Sequence, residues 1–102
     1  MAQYPYIPDL QPGACAHLTT GAVASAETGA ASDGSTVYWF LARTTEAAVI
    51  FGKAGAVTTP TMTNGWPCPI NIWTPYRVPP GLVFKAIATG AGDLAWFQNA
   101  PA

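Results

Sequence analysis

Charged side chains are scarce in this chain. Lysine and arginine together number 4 and aspartate and glutamate 5 among 102 residues, so that 9% of the sequence is charged. An ordinary soluble domain is about 25% charged. A domain of this size is mostly surface, and a surface with so few charges is poorly protected against association. We therefore expect a subunit that buries part of its exterior against other protein; the alternative is a free monomer kept soluble by uncharged polar side chains.

Clustered positive charge and long apolar runs are also missing. The four cations, Arg43, Arg77, Lys53 and Lys85, are scattered along the chain and form no patch that could neutralise several phosphates, so nucleic-acid binding is not expected. No apolar run approaches the length of a membrane span. The first ten residues, M-A-Q-Y-P-Y-I-P-D-L, lack the cationic start and uninterrupted apolar core of a signal peptide. The sequence thus predicts synthesis and assembly in the cytoplasm, without a membrane partner.

Residues that carry out catalysis or bind metals are few. Cys15 and Cys68 are either a disulfide or, as we favour for a cytoplasmic protein, two reduced and buried thiols. The only histidine is His17, and a zinc site built from it with Cys15 and Cys68 would lack a fourth ligand. Cys15 and His17 would share one face of a strand simply because of their spacing, so we do not expect a nucleophilic pair there. The carboxylates all fall in predicted arms, loops or turns: Asp9, Glu27, Asp33, Glu46 and Asp93. We therefore predict a protein that is not an enzyme and has no cofactor or metal.

What the chain does have is a series of short apolar strands. Residues 76–97 predict a β-hairpin, in which Leu82, Phe84, Ala86 and Ala88 share one face and residues 90–93 form the turn. Residues 35–43 and 47–51 predict a second hairpin, residues 56–62 a weaker strand, and Asn64-Gly65 a turn at positive φ. Sustained helical periodicity is lacking. Roughly six to eight strands with turns about every 8 to 12 residues predict an all-β fold, a small antiparallel β-sandwich or barrel of jelly-roll type.

The composition of the chain changes at about residue 34. Residues 1–34 begin with Tyr4-Pro5-Tyr6-Ile7-Pro8, which cannot be helical because each proline pushes the preceding residue into extended geometry. We predict an extended N-terminal arm and loop over residues 1–34, followed by the antiparallel β domain over 35–102. The arm either drapes over a neighbouring subunit or forms an edge strand and loop of its own subunit.

Tryptophan and tyrosine are abundant, with 4 of each. Trp66, Trp73 and Tyr76 surround prolines in a predicted loop region, and as a row of exposed rings they would suit stacking against sugar rings. In a small sandwich, however, such rings more often fill the core or a subunit interface, where they dominate the contact energy. We favour the core or interface interpretation.

Three motifs in order resemble the small β-sandwich virion proteins of tailed bacteriophages, of the head decoration or cement type. They are T-M-T-N-G-W-P-C-P at residues 61–69, V-P-P-G at 78–81 and F-K-A-I-A at 84–88. The similarity spans about residues 35–97. It implies a β-sandwich that seats as a dimer or trimer on the major capsid protein or another virion protein, or else a fibre or tail part.

The resemblance and the composition together predict a structural virion protein that binds and stabilises the capsid shell. A fibre or tail module that binds host-surface glycan is the alternative. The residues predicted to contact a partner are apolar or aromatic and lie in the arm, in the aromatic stretch at residues 66–73 and just beyond it: Tyr4, Tyr6, Ile7, Leu10, Trp66, Trp73 and Tyr76.

Overall fold

The computed structural model describes residues 15–29, 34 and 36–99. All regular structure in this part of the chain is β-strand, and no helix occurs in it. The strands in chain order are β1 (Ala16–Thr20), β2 (Thr36–Arg43), β3 (Ala47–Lys53), β4 (Trp66–Cys68), β5 (Thr74–Val78), β6 (Leu82–Ala88) and β7 (Gly92–Asn99). The prediction of an all-β chain is confirmed.

The strands form two antiparallel sheets with a shared apolar interior. The order is β1-β7-β2-β5 in the four-stranded sheet and β4-β3-β6 in the three-stranded sheet. The central pair of the larger sheet, β2 and β7, is matched from Val37↔Asn99 to Arg43↔Asp93. In the smaller sheet β3 is central and runs antiparallel to both neighbours. Two sheets that bury their inner faces against each other are a β-sandwich, which is the first of the two predicted architectures.

The two predicted hairpins are wrong in their pairing, because both connections cross from one sheet to the other. Although they are consecutive in the chain, β2 and β3 lie in different sheets, as do β6 and β7. Each of these strands has bulky apolar side chains on one face. Consecutive strands bury these side chains against each other across the interior of the sandwich, and they are not hydrogen-bonded neighbours in one sheet. At the first crossing Thr44 adopts a φ of 75°, which turns the chain out of the larger sheet.

The predicted faces of β6 are confirmed despite the different partner. Phe84, Ala86 and Ala88 belong to the buried core, and Leu82 packs against it. This result follows from the two-residue period of a strand, which fixes the faces whichever neighbour supplies the hydrogen bonds.

Two arrangements were predicted for residues 1–34, an arm over a neighbouring subunit or an edge strand and loop of the same subunit, and the described residues 16–28 show the second. β1 is the edge strand of the larger sheet, in register with β7 from Ala16↔Trp96 to Thr20↔Gly92. Farther on, the amide of Ser25 donates to the carbonyl of Ala86 and the amide of Thr28 to the carbonyl of Phe84, both at 2.8 Å. Residues 16–28 are therefore part of the sandwich, because a threonine-rich edge strand can pair with β7 as well as a more apolar one. The remaining arm residues predicted to contact a partner lie outside the described residues: Tyr4, Tyr6, Ile7 and Leu10.

Aromatic rings fill the centre of the core. The Phe84 ring meets Phe40 edge to face with centroids 5.0 Å apart and Trp96 at 5.2 Å, geometries that favour aromatic pairs. Tyr38 is fully buried, and its hydroxyl donates to the carbonyl of Leu82 at 3.1 Å. Gly29, at φ 101°, lies so close that a Cβ there would be 2.6 Å from this hydroxyl oxygen.

The segment between β3 and β4 is irregular, so the strand predicted over residues 56–62 is wrong. Val57 and Pro60 are buried in it, and the proline has no amide to donate to a ladder. Asn64-Gly65 does turn the chain, but neither residue adopts the predicted positive φ. Glycine is required at position 65 for a different reason: a Cβ there would lie 2.7 Å from the Cβ of Ala48.

Candidate functional site

The aromatic stretch at residues 66–73, which we call the elbow, crosses between the two sheets. It begins as β4, where Cys68 pairs with Ala47 and its side chain is buried in the core. It then reaches the larger sheet, because Ile70 forms a parallel bridge with Ala42 and the amide of Asn71 donates to the carbonyl of Ala42 at 2.9 Å. Asn71 adopts a φ of 60°, which an asparagine tolerates better than most residues. The elbow is therefore anchored to β3 at one end and to β2 at the other.

The elbow carries most of the exposed apolar side chains in the described part of the chain. The described residues include four exposed large hydrophobic side chains, and three of these lie in the elbow: Trp66 (59%), Ile70 (41%) and Ile72 (59%). The fourth, Val23, lies on a separate loop. Between residues 66 and 73 the sequence W-P-C-P-I-N-I-W contains no acidic or basic residue. The result is an uncharged segment with three exposed apolar side chains, which can recognise a partner by apolar contact, as expected of a protein interface.

A cleft adjoins the elbow where the edge strands of the two sheets come together. Its volume is about 380 Å³. The lining is aromatic and aliphatic apart from one guanidinium: Phe51, Trp66, Tyr76, Arg77, Val78, Pro79 and Leu82. The Trp66 and Tyr76 rings are 6.1 Å apart, and the Tyr76 ring is 6.2 Å from Phe51. The cleft continues the apolar surface of the elbow inward to the edge of the core.

Tyr76 holds one wall of this cleft in place. Its hydroxyl donates to the carbonyl oxygen of Pro67 and so ties β5 to β4. Burial raises the pKa of this phenol to about 12, with a smaller contribution from the nearby Cys68. The hydroxyl therefore stays protonated, and able to donate, through the neutral range.

Trp73 lies on the opposite side of the larger sheet from Tyr76. The Tyr76 ring packs against Phe40 of the core, at 6.2 Å, whereas the Trp73 ring packs edge to face on Phe97, at 5.3 Å. Phe97 in turn stacks on Trp39, and both are buried, at 6% and 3% exposure. The row of three rings that would stack on a sugar is therefore not formed: Trp66 and Tyr76 come together, and Trp73 does not join them. Trp73 immediately precedes β5, and continuing the alternation of that strand back by one residue places odd and even residues on opposite sides.

The structure brings together a group of polar residues of which two, Cys15 and His17, were discounted as a site from the sequence. Cys15 Sγ lies 3.6 Å from His17 Nε2, and His17 Nδ1 lies 2.7 Å from Asp93 Oδ2. Both cysteines are free thiols, as favoured from the sequence, but Cys15 is exposed and only Cys68 is buried. Asp93, predicted as a turn residue, lies on β7. The spacing of Cys15 and His17 was visible in the sequence, but nothing there indicated that an aspartate 76 residues beyond His17 would join them.

Neither a metal site nor a membrane-spanning helix occurs among the described residues. No three or more histidine, cysteine, aspartate or glutamate side chains come together there in a way that could hold a metal ion. Within the same residues, no helix is long and apolar enough to cross a membrane.

Comparison with known proteins gives no relative: no protein-family model, no curated protein and no solved structure matches the chain.

Proposed function

We propose that this protein is a non-enzymatic structural subunit of a bacteriophage particle, a head decoration protein that binds the major capsid protein and stabilises the shell. The observation that carries the proposal is the elbow, where Trp66, Ile70 and Ile72 expose apolar side chains on one uncharged crossing segment. The virion context is drawn from the sequence resemblance at residues 61–69, 78–81 and 84–88.

The chemistry of the elbow suits a protein partner. Tryptophan is among the residues that contribute most to interface affinity, because its large ring buries much apolar area with few rotatable bonds. The Trp66 ring lies beside the Tyr76 ring. The hydrogen bond from Tyr76 to Pro67 holds the Tyr76 ring in place before a partner binds. A rigid apolar surface loses little conformational entropy on binding.

The stabilising effect follows from mass action. A protein that binds the assembled shell, and not its separated subunits, favours assembly by an amount set by its concentration relative to its Kd. Several copies on neighbouring capsomers, or an oligomer that engages more than one site, would add avidity without new contacts in any one copy.

Co-sedimentation with undecorated phage shells tests the proposal. We expect the wild-type protein to pellet with the shells and the double variant Trp66→Ser, Ile72→Ser to bind at least about tenfold more weakly, since truncation at the centre of an interface commonly costs more than 1 kcal/mol. Val23→Ser is the control, because it removes an apolar side chain that is even more exposed, at 84%, and lies on another loop. Failure of the wild-type protein to bind shells, or equal loss in the control, would contradict the proposal.

Glycan binding by a fibre or tail module is the second candidate, and the cleft is what favours it. The exposed Trp66 ring, the Tyr76 ring beside it and the guanidinium of Arg77 together offer a stacking surface and hydrogen-bond donors for a sugar. Titration of tryptophan fluorescence with host polysaccharide distinguishes the two functions. A saturable change that Trp66→Ser abolishes, in a protein that does not bind shells, would favour the glycan module.

A further inference from the structure

Cys15, His17 and Asp93 form a linear relay on the larger sheet. The thiol sulfur is 3.6 Å from Nε2 of the imidazole, and the opposite ring nitrogen, Nδ1, is 2.7 Å from a carboxylate oxygen of Asp93. All three groups can be reached from solvent: Cys15 is exposed, and the His17 and Asp93 side chains are 50% and 33% exposed.

The backbone of two paired strands holds this arrangement. His17 pairs with Ala95, and Asp93 pairs with Thr19, so His17 and Asp93 are diagonal neighbours on one face of the β1–β7 ladder. Cys15, two residues before His17, continues the same face. On the far side of β7, Arg43 of β2 is the register partner of Asp93. The relay is therefore placed by sheet register.

The carboxylate fixes the direction of the hydrogen bonds. An ionised aspartate only accepts, so the proton between Asp93 and His17 is on Nδ1 of the imidazole. In the neutral ring Nε2 is then an acceptor, and it faces the thiol, which can donate its proton. A nucleophile next to an imidazole nitrogen, with a carboxylate that orients the ring from its other nitrogen, is the arrangement that activates cysteine and serine nucleophiles in enzymes.

We propose that Cys15 is a nucleophilic thiol that attacks disulfide bonds, with His17 as its general base and Asp93 as a positioning residue. Thiol–disulfide exchange proceeds by attack of a thiolate, so an accessible sulfur and a nearby proton acceptor favour it, and it needs no donors for an oxyanion. The site provides both features. The inference stands apart from the proposed function, since neither the elbow nor a shell enters it.

The step is balanced in atoms and electrons. His17 Nε2 takes the proton from Cys15 Sγ, and the sulfur attacks one sulfur of a substrate disulfide R–S–S–R′. The S–S bond of the substrate breaks as the bond between Cys15 and R–S forms. The R′ thiolate leaves, and the proton of the imidazolium passes to it or, where R′–SH is an acidic aromatic thiol, to water. Cys15 is oxidised to a mixed disulfide and R′–S is reduced to a thiol, so the substrate itself is the oxidant.

Cys68 is an internal control in the same chain. Its side chain is buried in the core, and burial raises the pKa of the thiol to about 12. It has neither access to a substrate nor a base beside it, so it should stay unreacted in the folded protein.

The test is the rate of reaction of the full chain with an aromatic disulfide, dithiobis(nitrobenzoate), followed by the released thiolate and by intact mass. We expect one rapid addition, located at Cys15 and lost in Cys15→Ala. Because an ordinary thiol is only a few per cent thiolate at neutral pH, we expect His17→Gln to slow the addition about tenfold at pH 7. Asp93→Asn should slow it less, and Glu46→Gln, which removes another carboxylate, should leave it unchanged.

The histidine itself provides a readout independent of rate. His17 is the only histidine, so the ¹⁵N resonances of labelled imidazole belong to it alone. We expect the tautomer with the proton on Nδ1 in the wild type, and a shift toward the Nε2 tautomer in Asp93→Asn. An Nε2 tautomer in the wild type overturns the proposal, as does an unchanged rate in a folded His17→Gln variant. The wild-type spectrum decides the matter even if a variant does not fold.

Discussion

The hydroxyl of Tyr76 donates a hydrogen bond to the carbonyl oxygen of Pro67, and this bond joins the edge strands of the two sheets. Tyr76 lies on β5, at the end of the larger sheet, and Pro67 on β4, at the end of the smaller one. The core alone would hold the sheets together, but it would leave the relative position of these edges less defined. The bond fixes one wall of the cleft and, through it, the orientation of the exposed Trp66 ring.

Replacing Tyr76 with phenylalanine tests this role. The ring packing on Phe40 and Phe51 is kept, and only the hydrogen bond is lost. Because Pro67 is exposed, water can donate a hydrogen bond to its carbonyl oxygen in place of the tyrosine hydroxyl. We expect the free energy of unfolding in urea to fall by about 1 kcal/mol, the usual net value of one hydrogen bond. The emission of Trp66 should shift as the cleft loosens. A loss above about 3 kcal/mol would mean that the hydroxyl is needed by the core as a whole.

The faces of the strands were predictable from the sequence, and their partners were not. Alternation assigned Phe84, Ala86 and Ala88 to the core correctly because the two-residue period is a local property of the chain. The pairing depends on which of several similar apolar strands meet, and nearly every strand here is apolar enough to pair with any other. Both predicted hairpins failed for this reason.

The candidate sites also differ in whether they could be predicted from residues that are adjacent in the chain. The elbow was predicted as a contact surface because Trp66 and its flanking prolines are adjacent in the chain, and the exposed side chains do lie there. That a partner binds there stays a prediction. The relay could not be predicted, because it depends on β1 pairing with β7, which brings His17 to Asp93 across 76 residues.

Glu27 makes the stability of the fold sensitive to acid. Its carboxylate accepts from the amide of Gly55, at 2.7 and 2.9 Å to the two oxygens, and from the amide of Val57 at 3.3 Å. The bond from Gly55 is the largest effect and lowers the pKa of this carboxyl below its ordinary value of 4.5. Desolvation, the next largest effect, opposes it, and the bond from Val57 and the positive charge of Lys85 lower the pKa further. The charged form thus closes the loop after β3 onto the segment after β1.

A lowered pKa means that the unfolded chain takes up the proton first as pH falls. The stabilisation from Glu27 is therefore complete above pH 4.5, and it is lost as the pH falls toward the lower pKa of the folded state. In Glu27→Gln we expect a shallower decline of the unfolding free energy below pH 4.5 than in the wild type. Glu46→Gln, on the exposed turn between β2 and β3, is the control. Parallel curves for the wild type and Glu27→Gln would contradict this account.

Cys68 has the opposite effect at alkaline pH. Burial raises the pKa of its thiol from 9.0 to about 12, so the folded protein keeps this proton at pH values where the unfolded chain releases it. Its contribution is complete below pH 9.0 and is lost as the pH rises toward 12. One such group can produce a slope of at most about 1.4 kcal/mol per pH unit.

We expect Cys68→Ala to be less stable than the wild type at neutral pH, because it leaves a small cavity, but to lose stability less steeply above pH 9.0. The slope between pH 9 and 11, from urea unfolding, is the quantity to compare. Tyr76, with a pKa also raised to about 12, contributes a slope of its own that remains in the variant. Cys15→Ala, which removes an exposed thiol in place of the buried one, is the variant for comparison. Equal slopes in the wild type and Cys68→Ala would show that the buried thiol does not control the alkaline limit.

Gly65 is required for packing and not for its backbone angle. A Cβ at this position would lie 2.7 Å from the Cβ of Ala48 and 3.2 Å from the amide nitrogen of Val49, both on β3. The chain must come this close to β3 because Trp66, the next residue, pairs with Val49. We therefore expect Gly65→Ala to lower the free energy of unfolding by about 1 to 3 kcal/mol, the usual cost of overpacking, and to detach β4 before the rest of the sheet.

Gly21→Ala is the matched control, because a Cβ at position 21 meets nothing within 4 Å and the residue has no positive φ. Hydrogen exchange at the amides of β4, measured beside urea unfolding, separates local detachment from global loss. If both variants were as stable as the wild type, the close approach of residue 65 to Ala48 would not be what holds the elbow against the smaller sheet.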